Sequence, residues 1–216
     1  MKKIKNDERI TVFIDFNKRL VLKKCNPKDL RRSKDLYKEY ENLKKISKFK
    51  LKSGIFFPRA VSFSHSKSEL KTKYISGINL KDILNEKVYA QFGRALKRLH
   101  EEGVTHGHLE VQDVIYKNKK FYLVDLPNLN KFNPLKDYAR FKISIALHKL
   151  KNPLNWLKYG RCSCAFTKGY KPNKKSSQKH FKKEANSIIK RYLQKDIKNK
   201  IKGIVIYALL SMEGIR

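Results

Sequence analysis

Leu99-His100-Glu101-Glu102-Gly103-Val104-Thr105-His106-Gly107-His108-Leu109-Glu110-Val111-Gln112-Asp113-Val114 is the stretch on which the fold turns. Its first residues close a segment, 87–102, in which Phe92, Ala95, Leu96 and Leu99 recur at helical spacing. Gly103 is a natural stop for that helix, because glycine adopts the left-handed backbone of a helix end without steric cost. A short loop carrying two histidines follows. Two strand patterns come next, 114–116 and 121–125, joined by the polar turn 117–120. Helix, histidine loop and a hairpin ending on Asp125 therefore succeed one another without a break.

Working outward, residues 10–16 (ITVFIDF) are β-branched and aromatic, Asn17-Lys18-Arg19 is a turn signal, and 20–22 reads as a second strand. After a break containing Pro27, a helix is predicted over 29–46, with Leu36, Tyr40, Leu43 and Ile46 on its apolar face. Glu39 falls on that same face, and an inward carboxylate requires a cationic partner. Strand-like pieces follow at 60–63 and 70–75, then Gly77, then a short helix capped by Asn79 with Asp82 three residues on. Pro134 opens another helix over 135–150. The order predicts an α+β chain of two lobes hinged near 74–78: a small, β-rich N-lobe over 1–74 and a mostly helical C-lobe over 75–216.

Lys and Arg number 52 against 19 Asp and Glu, a net charge of +33. That excess points to an anionic partner: a phosphorylated glycan or nucleotide, an anionic membrane surface, or nucleic acid. Residues 168–202 concentrate it, with 13 Lys or Arg and only Glu184 and Asp196 as acids. Cys25, Cys162 and Cys164 are too few for a disulfide framework and read as thiols without a disulfide partner, as in a reducing compartment. The N-terminal MKKIKNDER has no apolar stretch behind it, and the expectation is that it is not a secretory signal. The most apolar run, 204–210, is too short to span a bilayer and reads as a buried terminal helix. A cytoplasmic protein, peripheral at most on the inner face of a membrane, is the expectation.

The loop 99–114 resembles the catalytic loop of the protein-kinase-like fold, whose small phosphotransferases carry roughly LHxxGxxHGDLxxxN. Val124-Asp125-Leu126 looks like the start of that fold's DFG-type motif, and Leu20-Val21-Leu22-Lys23 resembles the strand bearing its phosphate-pairing lysine. Within the fold, Lys136-Asp137-Tyr138-Ala139-Arg140-Phe141, Phe166-Thr167-Lys168-Gly169-Tyr170 and Ile75-Ser76-Gly77-Ile78-Asn79-Leu80 resemble segments of the bacterial lipopolysaccharide core kinases, the heptose and Kdo kinases. The resemblance covers about residues 10–195.

The resemblance implies ATP and Mg²⁺ as cofactors. It implies that Lys23, held by Glu39, contacts the α- and β-phosphates, that Asp113 and Asp125 hold the metal, and that His106 and Asp137 brace the loop. Phosphoryl transfer asks a protein chiefly to position groups and neutralise charge, which is what such a set does. Several features depart from the family, among them Pro127 as the third residue of the DFG-type motif. His108 stands where the catalytic Asp belongs, leaving a base near neutral pH but no carboxylate. Asp113 replaces an Asn, still an oxygen ligand. No glycine-rich loop precedes Lys23, and only two strands are expected before the first helix.

Two functional classes follow. The first is a kinase-like phosphotransferase acting on a sugar hydroxyl of an anionic glycolipid, the lipopolysaccharide core, as a working enzyme or a weak or inactive pseudokinase. The second is a nucleic-acid-binding or membrane-surface scaffold on the same fold.

Overall fold

The β-branched run beginning at Thr11 pairs antiparallel with the run beginning at Leu20, setting Ile14 opposite Val21 and Val12 opposite Lys23. In the computed structural model, which describes residues 1–6, 10–131, 133–151 and 153–193, these are β2 (Thr11–Asp15) and β3 (Leu20–Lys24). They follow β1 (Lys2–Asn6). α1 (Leu30–Ile46), β4 (Ile55–Phe56), β5 (Ala60–Ser64), β6 (Glu69–Lys73) and β7 (Ile78–Asn79) come next. α2 (Glu86–Glu101), β8 (Val114–Lys117) and β9 (Lys120–Leu123) lead to α3 (Pro134–Lys151), α4 (Trp156–Tyr170) and α5 (Lys174–Leu193).

The first sheet runs β1-β2-β3-β6-β5, all antiparallel. β1 corrects the expectation of two strands before the first helix: three precede it. The run KKIKN carries no apolar alternation, and its strand form comes from backbone pairing with β2. α1 lies against β5 and β6 of this sheet. It starts where the Asp29 carboxylate accepts from the backbone N–H of Arg32 (3.0 Å). It buries Leu36, Glu39, Leu43 and Ile46, so Glu39 does face inward.

The second sheet runs β4-β9-β8-β7. β4 pairs parallel with β9, which ties residues 55–56 to the hairpin that ends at Asp125. Tyr89, Phe92, Leu96 and Leu99 of α2 pack there with Leu109, Val111, Val114 and Leu123 in the main core. Phe92, Phe141 and Phe166 join α2, α3 and α4 through ring centroids 4.5–6.0 Å apart. α2 and α4 touch backbone to backbone. A Cβ on Gly169 would sit 2.2 Å from the Ala90 carbonyl oxygen, and one on Gly93 would sit 2.4 Å from that of Phe166. Glycine at 169 is therefore a packing requirement of this helix pair.

The predicted helices 29–46, 87–102 and 135–150 correspond to α1, α2 and α3. The α+β class with a β-rich first part and a helical second part holds. α5 carries much of the basic stretch 168–202, whereas the apolar run 204–210 lies outside the described residues. The three cysteines are free thiols, Cys25 and Cys162 buried and Cys164 exposed. Among the described residues no helix is long and apolar enough to cross a membrane.

Candidate active site

Lys23 sits at the fourth position of β3, on the side of the strand that faces α1. Its Nζ donates to both Glu39 oxygens (2.7 and 2.9 Å) and to Asp125 Oδ1 (3.1 Å). Glu39 is 3% exposed and Lys23 15%, whereas Asp125 is 58% exposed. Burial alone would lower the Lys23 pKa. The carboxylates of Asp125 and Glu39 outweigh it and hold the ammonium above its ordinary value. The buried carboxylate therefore has the cation it requires, and the exposed one stands at the mouth of the site.

Asp125 has φ +68°. This is a left-handed backbone that Asp tolerates better than most residues, and a form of strain that collects at functional sites. Asn42 of α1 donates to the Leu126 carbonyl (2.6 Å), fixing this corner to that helix. Asp113 lies on the neighbouring turn, where its carboxylate accepts from the Glu110 N–H (2.9 Å) and its carbonyl accepts from the Val124 N–H (2.9 Å). Burial, with the charges of Asp125 and Glu110, pushes the Asp113 carboxyl well above the usual carboxylate range. Carboxylates that resist shared ionisation suit a divalent cation. Among the described residues no three His, Cys, Asp or Glu side chains converge as a complete ligand set. Two carboxylates fit Mg²⁺, which takes one or two from the protein and fills its shell with water and phosphate oxygens.

The loop between α2 and β8 is held from below by Asp137 of α3. Its Oδ2 accepts from the His106 N–H (2.6 Å) and its Oδ1 from the Gly107 N–H (2.8 Å). Gly107 has φ +85°, and a Cβ there would meet the Asn128 carbonyl oxygen at 2.3 Å, so no other residue fits. His106 Nε2 donates to the Val124 carbonyl (2.9 Å), linking the loop to the strand end before Asp125. Asp137 is fully buried. Burial would raise its pKa, but the His100 and His106 imidazoles and the backbone N–H donors outweigh burial and hold it below the usual range. His100 lies 3.4 Å away through Nε2, and its Nδ1 meets the Tyr170 hydroxyl at 2.7 Å. The segments 136–141 and 166–170 are thereby coupled to the loop.

His108 is half-exposed, and its Nε2 makes a short hydrogen bond with the Arg140 guanidinium. Arginine can only donate, so that nitrogen accepts and its lone pair is in use. Arg140 is buried and also donates to Glu184 (3.0 Å) and to Glu110 (3.4 Å). Glu110 lies 3.7 Å from His108 Nε2. Sequence reasoning did not assign Arg140, Glu110 and Glu184 to the site. The signal was faint: Arg140 follows Asp137 by three residues, on nearly the same helix face, and Glu110 follows His108 by two.

The structure thus brings Lys23, Glu39 and Asp125 into direct contact, sets Asp113 beside them, and places His106, His108 and Asp137 on one loop and its support. Residues 7–9, which connect β1 to β2, lie outside the described residues and contain no glycine.

No family model matches the chain. Its fold is that of kinase-like proteins. It superposes on the structure of amicoumacin kinase hAmiN in complex with AMP-PNP, Ca²⁺ and Ami with a TM-score of 0.66 at 11% identity, covering 99% of this chain and 89% of that one. A choline/ethanolamine kinase family protein from Mesorhizobium loti gives 0.60 at 11% identity over the same shares. In sequence, the chain is 29% identical over 79 residues to the KEOPS complex subunit Bud32 of Pyrococcus abyssi, 33% of this chain and 36% of that protein. It is 25% identical over 68 residues to a probable bifunctional tRNA threonylcarbamoyladenosine biosynthesis protein of Methanosarcina acetivorans, 32% of this chain and 12% of that protein. These matches span about a third of the first relative's length and about an eighth of the second's.

Proposed function

We propose that this chain is an ATP-dependent phosphotransferase that passes the γ-phosphate to a sugar hydroxyl of an anionic glycolipid, and that it does so slowly. The observation that carries the nucleotide site is the Lys23 ammonium bridging Glu39 and Asp125, with Asp113 at hand. Lys23 would turn its charge to the α- and β-phosphates while Glu39 keeps it in place. Asp113 and Asp125 would hold Mg²⁺, which neutralises charge on the transferred group. Asp137 and His106 fix the loop on which the acceptor hydroxyl is met.

The slowness follows from His108. To accept the hydroxyl proton through Nε2 it must give up the Arg140 hydrogen bond, and Glu110 and Glu184 hold Arg140 where it is. A group engaged in this way is a poor base. Net charge of +33 supports an anionic acceptor, and the resemblance of segments 75–80, 136–141 and 166–170 to the lipopolysaccharide core kinases favours a glycolipid.

One observation favours a second acceptor class. Both sequence relatives named above are described by tRNA threonylcarbamoyladenosine biosynthesis or the KEOPS complex, so a nucleic acid is the alternative partner for the same charge. Incubation with γ-labelled ATP and either lipopolysaccharide core or tRNA separates them. Label on the glycolipid, lost in Asp125→Ala, supports the first reading. Label on tRNA, or tRNA-dependent ATP hydrolysis without glycolipid labelling, replaces it with the second.

A further inference from the structure

Helix α4 buries one stripe and exposes another. Tyr159, Cys162, Phe166 and Tyr170 point into the core, while Leu157, Arg161, Cys164 and Lys168, spaced four, three and four residues apart, lie on the outer side. Just before it, the 3₁₀ turn Pro153–Asn155 presents Leu154. Leu154 is 99% exposed, Leu157 78% and Trp156 37%. Three large apolar side chains within four residues thus stand at one end of the helix. A depression of about 430 Å³ runs along the stripe from Trp156 and Leu157 to Lys168.

The formal charges carried by α4 itself share one sign. The helix sequence WLKYGRCSCAFTKGY holds Lys158, Arg161 and Lys168 and no carboxylate. The acid bordering the depression is Glu86, at the start of α2, and Lys87 follows it. An apolar tip of Leu and Trp with a cationic flank is the pattern of a surface that inserts shallowly among lipid headgroups, where the rings and branched chains leave water and the cations meet phosphate. A polynucleotide would use the cations but gives Leu154 and Leu157 nothing to bury against.

We propose that the tip formed by Leu154, Trp156 and Leu157, with the outer stripe of α4, docks on an anionic lipid bilayer. The choice of a bilayer rests on the glycolipid reading above. Docking needs no nucleotide, so a binding test run without ATP tells a failed docking surface from a failed phosphate site.

Trp156 is the single tryptophan of the chain, so its emission reports the tip directly. The full-length protein is titrated with vesicles of phosphatidylcholine mixed with phosphatidylglycerol, and with vesicles of phosphatidylcholine alone. Co-sedimentation and tryptophan emission are both read. The expected result is a blue shift and co-sedimentation with the mixed vesicles only. Leu154→Asp and Leu157→Asp weaken both by about tenfold or more. As both side chains face water, the variants keep the wild-type circular dichroism spectrum. The proposal is overturned if the mixed vesicles leave the emission unmoved, or if Leu154→Asp and Leu157→Asp bind as wild type, which would leave charge alone. It is equally overturned by emission already blue-shifted in a self-associated protein, where a second copy covers the tip, or by emission that moves with tRNA and not with vesicles.

Discussion

Lys23 Nζ lies 3.1 Å from Asp125 Oδ1, a contact between residues 102 apart in the chain that joins the first sheet to the end of the β8–β9 hairpin. The same ammonium holds Glu39 at 2.7 Å. Lys23→Met leaves Glu39 buried without a cation, and the account expects loss of nucleotide binding together with lower stability. Glu39→Gln frees Lys23 from one partner but keeps a hydrogen-bond acceptor. Its expected effect is a fall in ATP affinity of about tenfold with little change in unfolding midpoint, measured by calorimetry and urea titration.

Asp113 predicts a pH dependence. Burial and the neighbouring carboxylates raise its pKa, so near the ordinary carboxylate value of about 3.9 it is still protonated and competes with a cation. Mg²⁺ affinity should therefore rise as pH increases above that value, through the raised pKa, and then level off. In Asp113→Asn this component of the rise disappears. A wild-type affinity that is flat with pH, measured by Mg²⁺ titration in the presence of ATP, contradicts the assignment.

Asp137 behaves oppositely. Its pKa is depressed in the folded protein, so its stabilisation is fully present above the unfolded value of about 3.9 and is lost as pH falls through the lower, folded value. Asp137→Asn cannot accept from both the His106 and Gly107 N–H groups. We expect a cost of about 3 kcal/mol near neutral pH, shrinking in acid, from urea unfolding at several pH values.

Gly169→Ala tests the helix contact. A methyl group 2.2 Å from the Ala90 carbonyl oxygen must push α2 and α4 apart. A loss of about 2 kcal/mol, or about 5 °C in Tm, is expected from thermal unfolding.

His108→Asp tests the explanation for slow transfer. An aspartate there would restore a carboxylate to the loop, and with two oxygens it can meet the Arg140 guanidinium through one while the other stays open to the acceptor hydroxyl. Transfer to the acceptor should rise by about tenfold or more while Mg·ATP affinity stays the same. Faster ATP binding with unchanged transfer would place the limit elsewhere.

Much of this site was legible in the sequence because its parts obey local rules. Glu39 stood out as a carboxylate on an apolar helix face before any partner was known, and Lys23 proved to be that partner. Asp125 was visible as the last residue of a patterned hairpin. Other parts had no local signature. β1 is a lysine-rich strand whose sheet partner among the described residues is β2. β4 and β7 have two residues each, too few for any period to register. Arg140 is buried by partners drawn from Glu110, Glu184 and His108, a convergence that spacing along one helix does not reveal. The closeness of α2 and α4 depends on glycines at 93 and 169, far apart in the chain and without any local pattern that marks them as one contact.

The most direct test of the central claim is calorimetric titration of the purified protein with Mg·ATP, beside Asp125→Ala. The account predicts saturable binding by the wild type that Asp125→Ala abolishes, since it assigns the meeting point of metal and phosphate to the exposed carboxylate beside Lys23. Absence of binding in the wild type, or binding that survives Asp125→Ala unchanged, would contradict it.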